Sequence, residues 1–591
     1  MMPTSLAAMR HFLRSLLLAA AVLAPAFSLQ ARDLVAVRLI AFNDLHGHLE
    51  PGDNAIAMPD PRDPAQRIAM RTGGVAQLAS AVRQLRAEQP ASVLISAGDL
   101  VGASPLVSAL FRDEPTIELM NALGVDLNVA GNHEFDHGVV ELRRLIAGGC
   151  ATTPRGVAAS CANTDRSYEG ARFPFIAANI EDAATGAPLL SPFVVKNIGG
   201  VRIGFIGAVT RATPGIVMPD GIRGWRFTAE APALNRYARQ LRAEGVNAIV
   251  AVVHEGGDAD GGIDDCENPR GPIFDIVRAL DPAIDVVLSA HTHRAYNCRV
   301  DGRVVIQGAS FGRLLSVIDL RLDRDTGKVV HDETRARNVP VANGIGADEA
   351  LNAAYPPYPA DAKIAAIVEH YRRHVAPLAD RPVGRIAGAF ERLPPEQGDS
   401  PAGRLIADAH LAATRDNGAQ IAFTNAGGIR SNLRPRAPGG TVTYGDVFTM
   451  QPFGNALVTM TLTGAQLKAL LESQRRGNSG QPRFLQPSST LAYGWRDDAP
   501  AGARVIEESI TIDGRPWRRD AAYRVTVNSY LAAGGDRYHV FLDGTELSGG
   551  PLDVDALAQY LSRQSAQGPL AVDMKPRISR RGGAGDAAPV R

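Results

Sequence analysis

Six short apolar runs punctuate the first half of this chain, and five of them end in residues able to bind a metal ion. Val35–Phe42 leads into Asp44-Leu-His46, and Ser92–Ser96 into Gly98-Asp99. Leu127–Ala130 leads into Gly131-Asn132-His133, Ala248–Val253 into His254, and Ile284–Ser289 into His291-Thr-His293. The sixth, Val201–Ile206, carries no such residue and serves as an internal control. Runs this short and β-branched read as buried strands of a mostly parallel sheet. Such sheets hold their ligands outside the carboxyl ends of the strands. Asp44, His46, Asp99, Asn132, His254, His291 and His293 are therefore expected on one rim. So many oxygen and nitrogen donors exceed one ordinary site. They suit two divalent ions that share a bridging carboxylate. Carboxylate mixed with imidazole favours Zn, Mn, Co or Fe over Ca.

A lone Asp-x-His is a weak signal, and any one of these histidines alone reads as an ordinary core or surface residue. Five strand-end matches in order outweigh that reading. Asp99 follows a glycine that permits close backbone approach, and its place in the order makes it the natural bridge. Asn132 would complete a second ion without adding charge. His133 directly follows a ligand, and Asp136 is near enough to accept a hydrogen bond from its ring. That bond would fix the tautomer and favour an imidazolium, which can stabilise a developing oxyanion. His48, Glu50, Glu134 and His137 read as structural support.

Charge narrows the partners: 62 basic and 62 acidic residues balance to zero, which speaks against a nucleic-acid polymer or a membrane surface. Arg10 and Arg14 precede the apolar run Ser15–Phe27, the layout of a signal peptide over 1–31. The run is too short to span a bilayer comfortably, so the mature chain is expected to have no membrane span and to reside in the periplasm or outside the cell. Cys150 is expected to pair with Cys161, and Cys266 with Cys298, as suits an exported chain.

To about Leu322, short strands alternate with amphipathic helices such as Val75–Arg86, which predicts a layered α/β domain over 33–345. Gly148–Tyr168 reads as a surface loop pinned by the first cysteine pair. In the segment 346–381, Ala360–Val375 forms an amphipathic connector helix that Pro377 should stop. From Arg381 the texture becomes mixed α+β, giving a second domain over 382–577. Ala456–Leu462 and Tyr523–Val527 alternate as strands, Thr463 caps a helix, and Asp513-Gly514 marks a hairpin. Residues 578–591 read as a disordered tail.

The motifs Asn43-Asp-Leu-His-Gly-His-Leu-Glu-Pro51, Gly98-Asp99, Gly131-Asn-His-Glu-Phe-Asp136, Val253-His254 and Ala290-His-Thr-His293 resemble those of the calcineurin-like metallophosphatases. More narrowly, they look like the bacterial periplasmic 5′-nucleotidase/UDP-sugar hydrolase group. The resemblance implies an N-terminal four-layer αββα domain joined by a connector helix to a C-terminal α+β nucleotide-binding domain. It implies two divalent ions (Zn, Mn, Co or Mg), one on Asp44, His46, Asp99 and His293, the other on Asp99, Asn132, His254 and His291. His133 with Asp136 would be the catalytic dyad, and nucleotides the substrates.

In the second half, Thr424-Asn-Ala-Gly-Gly-Ile-Arg430 resembles the family loop whose Asn425 and Arg430 contact substrate. Arg430 offers a bidentate fork to phosphate. Gln451-Pro-Phe-Gly-Asn455 and Tyr530-Leu-Ala-Ala-Gly-Gly-Asp536 resemble the loops whose rings, Phe453 and Tyr530, clamp a base, with Asn455 and Asp536 reaching the nucleoside. The family usually has Phe at position 530; Tyr keeps the ring and adds a hydroxyl. A family phosphate-binding Arg falls here on Glu396, with Arg392 or Arg404 as substitutes. The nearest rivals are a 2′,3′-cyclic-nucleotide phosphodiesterase/3′-nucleotidase, which shares the metal domain, and a non-catalytic nucleotide-binding relative.

Overall fold

The computed structural model describes residues 33–52, 55–151, 160–161, 167–475 and 481–581. The signal-peptide reading and part of the 148–168 loop lie outside the described residues.

The ligand-bearing strands divide between two sheets. The first runs in the order Arg335–Pro340, Leu314–Asp323, Leu34–Phe42, Ser92–Ser96, Leu127–Val129, Phe175–Ile176. The second runs Ala295–Val300, Arg303–Gly308, Val286–Ser289, Ala248–His254, Val201–Val209, Phe193–Ile198. The central pairs are parallel in both sheets; antiparallel strands close both edges of the second sheet and one edge of the first, whose other edge, Phe175–Ile176, pairs in parallel. The donors share one rim although their strands belong to two sheets, as the four-layer expectation requires. Alternation explains the second layer. Leu39, Val93, Ile95 and Leu127 of the first sheet pack against Ile203, Val250, Val286 and Leu288 of the second in a shared apolar layer. The opposite faces bury Ile40, Phe42 and Leu94 against the Val75–Glu88 helix and Ile249, Ala251 and Val253 against the Glu230–Ala243 and Pro272–Arg278 helices. The result is helix, sheet, sheet, helix: the four-layer αββα arrangement.

The Val75–Glu88 helix opens at Gly74, whose φ of 99° no L side chain adopts readily. The connector helix spans Ala362–Ala379 and runs through Pro377 rather than stopping before it. Asp361 caps its start through Ile364 N. Pro377 lies in the last turn, where one lost N–H bond is cheap, and Asp380 N still reaches Ala376 O at 2.8 Å. Ile364, Val368, Tyr371 and Val375 are buried in one apolar cluster with Val107 and Phe111 of the first domain and Tyr444 and Phe448 of the second. Tyr371 also donates to Glu118 Oε2 at 2.6 Å. The connector is thus packed between the two halves.

The C-terminal half centres on a sheet containing Ile421–Thr424, Ala522–Asn528, Ala456–Thr463 and Thr545–Leu552. The Thr463 cap is a full capping box with Gln466. The reading of 578–591 as a disordered tail is corrected at its start: Ile578–Arg581 pairs in parallel with Leu491–Arg496. Ile578 is buried there, so apolar burial outweighs the polar run that follows it. Cys150 bonds to Cys161 and Cys266 to Cys298. Among the described residues, no helix is long and apolar enough to cross a membrane.

Candidate active site

Chain turns at the ends of the strands bring the donors of both sheets together, and the backbone is unusual where they meet. Asp44, His46, Asp99, His291 and His293 all have positive φ, between 47° and 73°. Left-handed backbone is rare for non-glycine residues and clusters where function demands it. Glycines let the loops close up. A Cβ on Gly131 would lie 2.2 Å from Asp99 Oδ1, and one on Gly98 would lie 2.5 Å from His254 Nδ1.

Asp99 Oδ2 sits 3.0 Å from His254 Nε2 and 3.6 Å from His46 Nε2. Asp44 Oδ1 sits 3.4 Å from His293 Nε2 and 3.9 Å from His254 Nε2. Donor atoms of Asp44, His46 and His293 lie within 4.8 Å of one another, and so do those of Asp99, His254 and His291. The ring orientations are set from behind. His46 Nδ1 donates to Gly102 O at 2.8 Å and His254 Nδ1 to Ala97 O at 2.9 Å, which leaves both Nε2 lone pairs facing the centre. His254 Nε2 and Asn132 Oδ1 are buried without an aligned hydrogen-bond partner. Buried polar atoms rarely go unpaired, so both are candidates to face a bound cation. The donor set fits two divalent cations, with Asp99 positioned between the groups.

Glu134 organises this loop. Its carboxylate accepts from Gly131 N at 2.6 Å, Leu100 N at 2.8 Å and Asp99 N at 3.0 Å. Burial pushes its carboxyl up to about 7. Burial would also raise Asp99, but the adjacent His254, His133 and His46 hold it well below the usual carboxylate range.

His133 lies beside the donors. Its Nδ1 donates to Asp136 Oδ2 at 2.7 Å, and its backbone N donates to Asp99 Oδ1 at 2.8 Å. Burial works against its charge, yet Asp136 and Asp99 raise its pKa. From the second half, Phe453 lies over the His133 ring with centroids 6.0 Å apart and planes 23° apart. Arg430 reaches across to place Nη2 3.4 Å from His46 Nε2, with its guanidinium 5.9 Å from the Phe453 centroid.

A cavity of about 580 Å³ opens from this point between the two halves. Asn132, His133, Asp136, His291, Asn425, Arg430, Phe453, Asn455, Tyr530 and Asp536 all line it. Asn425 Nδ2 donates to Asp536 Oδ2 at 2.9 Å, and Asn528 Nδ2 donates to Asn425 Oδ1 at 3.2 Å. Arg392 sits one step back: its Nη1 donates to Ile429 O and Arg430 O at 3.0 and 2.9 Å, buttressing the loop that carries Arg430. Arg404 is not brought to the cavity. It is buried in the C-terminal half, bonded to Asp399 Oδ2 at 2.6 Å and to Asp573 O. Glu396 is exposed on a short 3₁₀ turn.

Sequence reasoning missed one wall. Ile216, Val217, Met218 and Gly221 of the first half line the cavity opposite the second. The signal in the sequence was faint, an apolar triplet between Pro214 and Pro219. Gln451, Ser529 and Asp553 also line the cavity; nothing marked Asp553, which holds Asn455 Nδ2 at 3.4 Å.

The fold and the paired donor groups define a calcineurin-like phosphoesterase, and residues 37–295 match the model of that family. Residues 382–543 match the 5′-nucleotidase C-terminal domain. The chain belongs to the family that joins these two domains, and it is a metal-dependent phosphoesterase hydrolase. Endonuclease YhcR of Bacillus subtilis is 32% identical over 92% of this chain. The chain spans 41% of that endonuclease's length. A probable 5′-nucleotidase of Treponema pallidum is 27% identical over 85% of this chain and 86% of its own. The solved 5′-nucleotidase precursor of Thermus thermophilus shares the fold, with a TM-score of 0.72 and 24% identity over 93% of this chain and all of that one.

Proposed function

We propose that this protein is an exported dimetal 5′-nucleotidase that removes the 5′-phosphate from nucleotides, with cleavage of nucleotide diphosphate sugars as an extension of the same chemistry. One observation carries the reading: the donor-rich centre and an aromatic-lined cavity large enough for a nucleoside share a border at His133, Arg430 and Phe453. A phosphate at the centre would leave its nucleoside in the cavity.

Asp44, His46, Asp99 and His293 would hold one divalent ion, and Asp99, Asn132, His254 and His291 the other. Such ions supply Lewis-acid polarisation of the phosphate and activation of water at neutral pH. The chain's own residues supply the rest. Arg430, whose guanidinium faces His46 and the Phe453 ring, offers its fork to phosphate oxygens. Arg392 holds the Arg430 loop from behind. His133, whose charged form Asp136 favours, would donate from Nε2 to the phosphate or to the departing ester oxygen. Phe453 and Tyr530 stack on the base, while Asn455, Asn425 and Asp536 bond to its edge and to the ribose. The two disulfides and the N-terminal sequence pattern support a periplasmic or secreted location.

The test is phosphate release by chelated and metal-reconstituted protein from nucleoside 5′-monophosphates, UDP-glucose, 2′,3′-cyclic nucleotides and phenyl phosphate. Nucleoside 5′-monophosphates are expected to lead, with activity restored by Mn, Co, Zn or Mg. Preference for cyclic nucleotides would favour the cyclic phosphodiesterase/3′-nucleotidase instead, and inertness of metal-loaded protein a binding role.

A further inference from the structure

The hydroxyl of Tyr530 sits in a bonding environment that stacking does not require. It accepts from Asp536 N at 2.8 Å and lies 2.9 Å from Asp536 Oδ1 and 3.3 Å from Gly215 O. A hydroxyl has one proton to give. The shorter bond, to a carboxylate, is charge-assisted and takes it. Asp536 is therefore gripped twice by one side chain, at its amide and at its carboxylate. The grip matters because Asp536 has φ 52°, the left-handed region that a non-glycine residue occupies only when its surroundings enforce it. Asn425 Nδ2 takes the other carboxylate oxygen at 2.9 Å, so the plane of the carboxylate is fixed on both sides. The Gly215 contact adds the first half of the chain: the Thr213–Gly215 turn lies against the Tyr530 hydroxyl and against Arg537, whose Nε a Cβ at Gly215 would meet at 2.9 Å. Burial and Asp536 push the phenol pKa upward, so the proton stays in place throughout the working range.

We propose that the Tyr530 hydroxyl is a positioning group that pre-orients the Asp536 carboxylate to receive the ribose hydroxyls of the substrate, and so sets selectivity for ribonucleotides over nucleotides that lack them. This rests on the nucleotidase reading above. A carboxylate already fixed in plane loses little freedom when a vicinal diol binds it. Without the hydroxyl, the Asn425 bond still holds one carboxylate oxygen, but the amide and the other oxygen lose their grip, and the diol meets a less ordered acceptor. Tyr530→Phe removes only the oxygen and keeps the ring, so stacking and packing survive.

The experiment measures KM for adenosine 5′-monophosphate and for its 2′,3′-dideoxy analogue with wild type, Tyr530→Phe, Asp536→Asn and the double variant. Tyr530→Phe is expected to raise KM for the ribonucleotide roughly tenfold, the size of one charge-assisted bond, and KM for the dideoxy analogue by less than about twofold. The double variant should resemble Asp536→Asn alone, because both substitutions break one unit. Equal rises for the two substrates, no rise for either, or additive effects in the double variant would overturn the proposal. Wild type that hydrolyses no nucleotide would overturn the functional reading itself. A working nucleotidase with unchanged ribose selectivity in Tyr530→Phe would overturn this inference alone.

Discussion

Asp99, carried by the first sheet, places its Oδ2 3.0 Å from Nε2 of His254, carried by the second. The contact joins the two layers at this rim, and Asp99 also faces His46. Asp99→Asn keeps the shape and removes the anion that two cations would share. Bound metal in the purified protein should fall by at least one equivalent, and kcat by about 10³-fold or more. Metal analysis alongside turnover checks this; full metal content with full activity would reject a bridging role.

His133 should behave differently. Its Nδ1 is taken by Asp136 and its backbone N–H by the Asp99 carboxylate, although a ring nitrogen also lies within 4.8 Å of donor atoms of His46 and Asp99. His133→Ala is expected to lower kcat by roughly 10²- to 10⁴-fold, the range of general acid–base assistance, while metal content stays near that of wild type. Parallel loss of both would make His133 a ligand rather than a catalytic residue.

Arg430 meets the centre as a planar fork. Arg430→Lys retains charge but not bidentate geometry, so KM for a nucleoside monophosphate should rise about tenfold. Steady-state kinetics at fixed metal concentration reads this directly. An unchanged KM would place the phosphate elsewhere.

Phe453 borders both the centre and the cavity. Phe453→Ala removes one base-stacking face, a contact worth about 1–3 kcal/mol. The ratio of kcat/KM for nucleotide over phenyl phosphate should fall between about fivefold and a hundredfold. A constant ratio would show that the ring does not touch the base.

Asp553 links stability to pH. Burial pushes its carboxyl up to about 7, against bonds from Val554 N and Asn455. A folded-state pKa above the unfolded value means that the native state binds the proton more tightly. Stability from this group is therefore present at low pH and is lost as pH rises through about 7. Asp553→Asn should flatten that loss, so the variant gains on wild type in thermal melting between pH 5 and pH 8. A difference in Tm independent of pH would show that Asp553 is ionised in the folded state.

Much of the site was legible because strand-end ligands follow local rules. Each run from Val35–Phe42 to Ile284–Ser289 is apolar because both its faces are covered, and each ends where the chain must turn. Residues at such turns fall on one rim whichever sheet holds them, which is why Asp44 through His293 were found from strand ends alone. The Cys150–Cys161 and Cys266–Cys298 pairs were likewise close enough in sequence to read. Pro377 misled because its cost depends on where in the helix it falls. Ile578–Arg581 misled because a short strand is stabilised by its partner, Leu491–Arg496, and not by its own residues.

The sequence by itself determined the ligand types, their order and the His133–Asp136 spacing, because these depend on chemistry and on contacts within a few residues. Only the tertiary structure decided which arginine approaches the centre, that Ile216–Met218 wall the cavity, and that the Tyr530 hydroxyl grips Asp536. Those relations depend on how distant segments and loops pack together, as Arg404 shows: its guanidinium is claimed by Asp399 and the Asp573 carbonyl, partners that no local pattern announces.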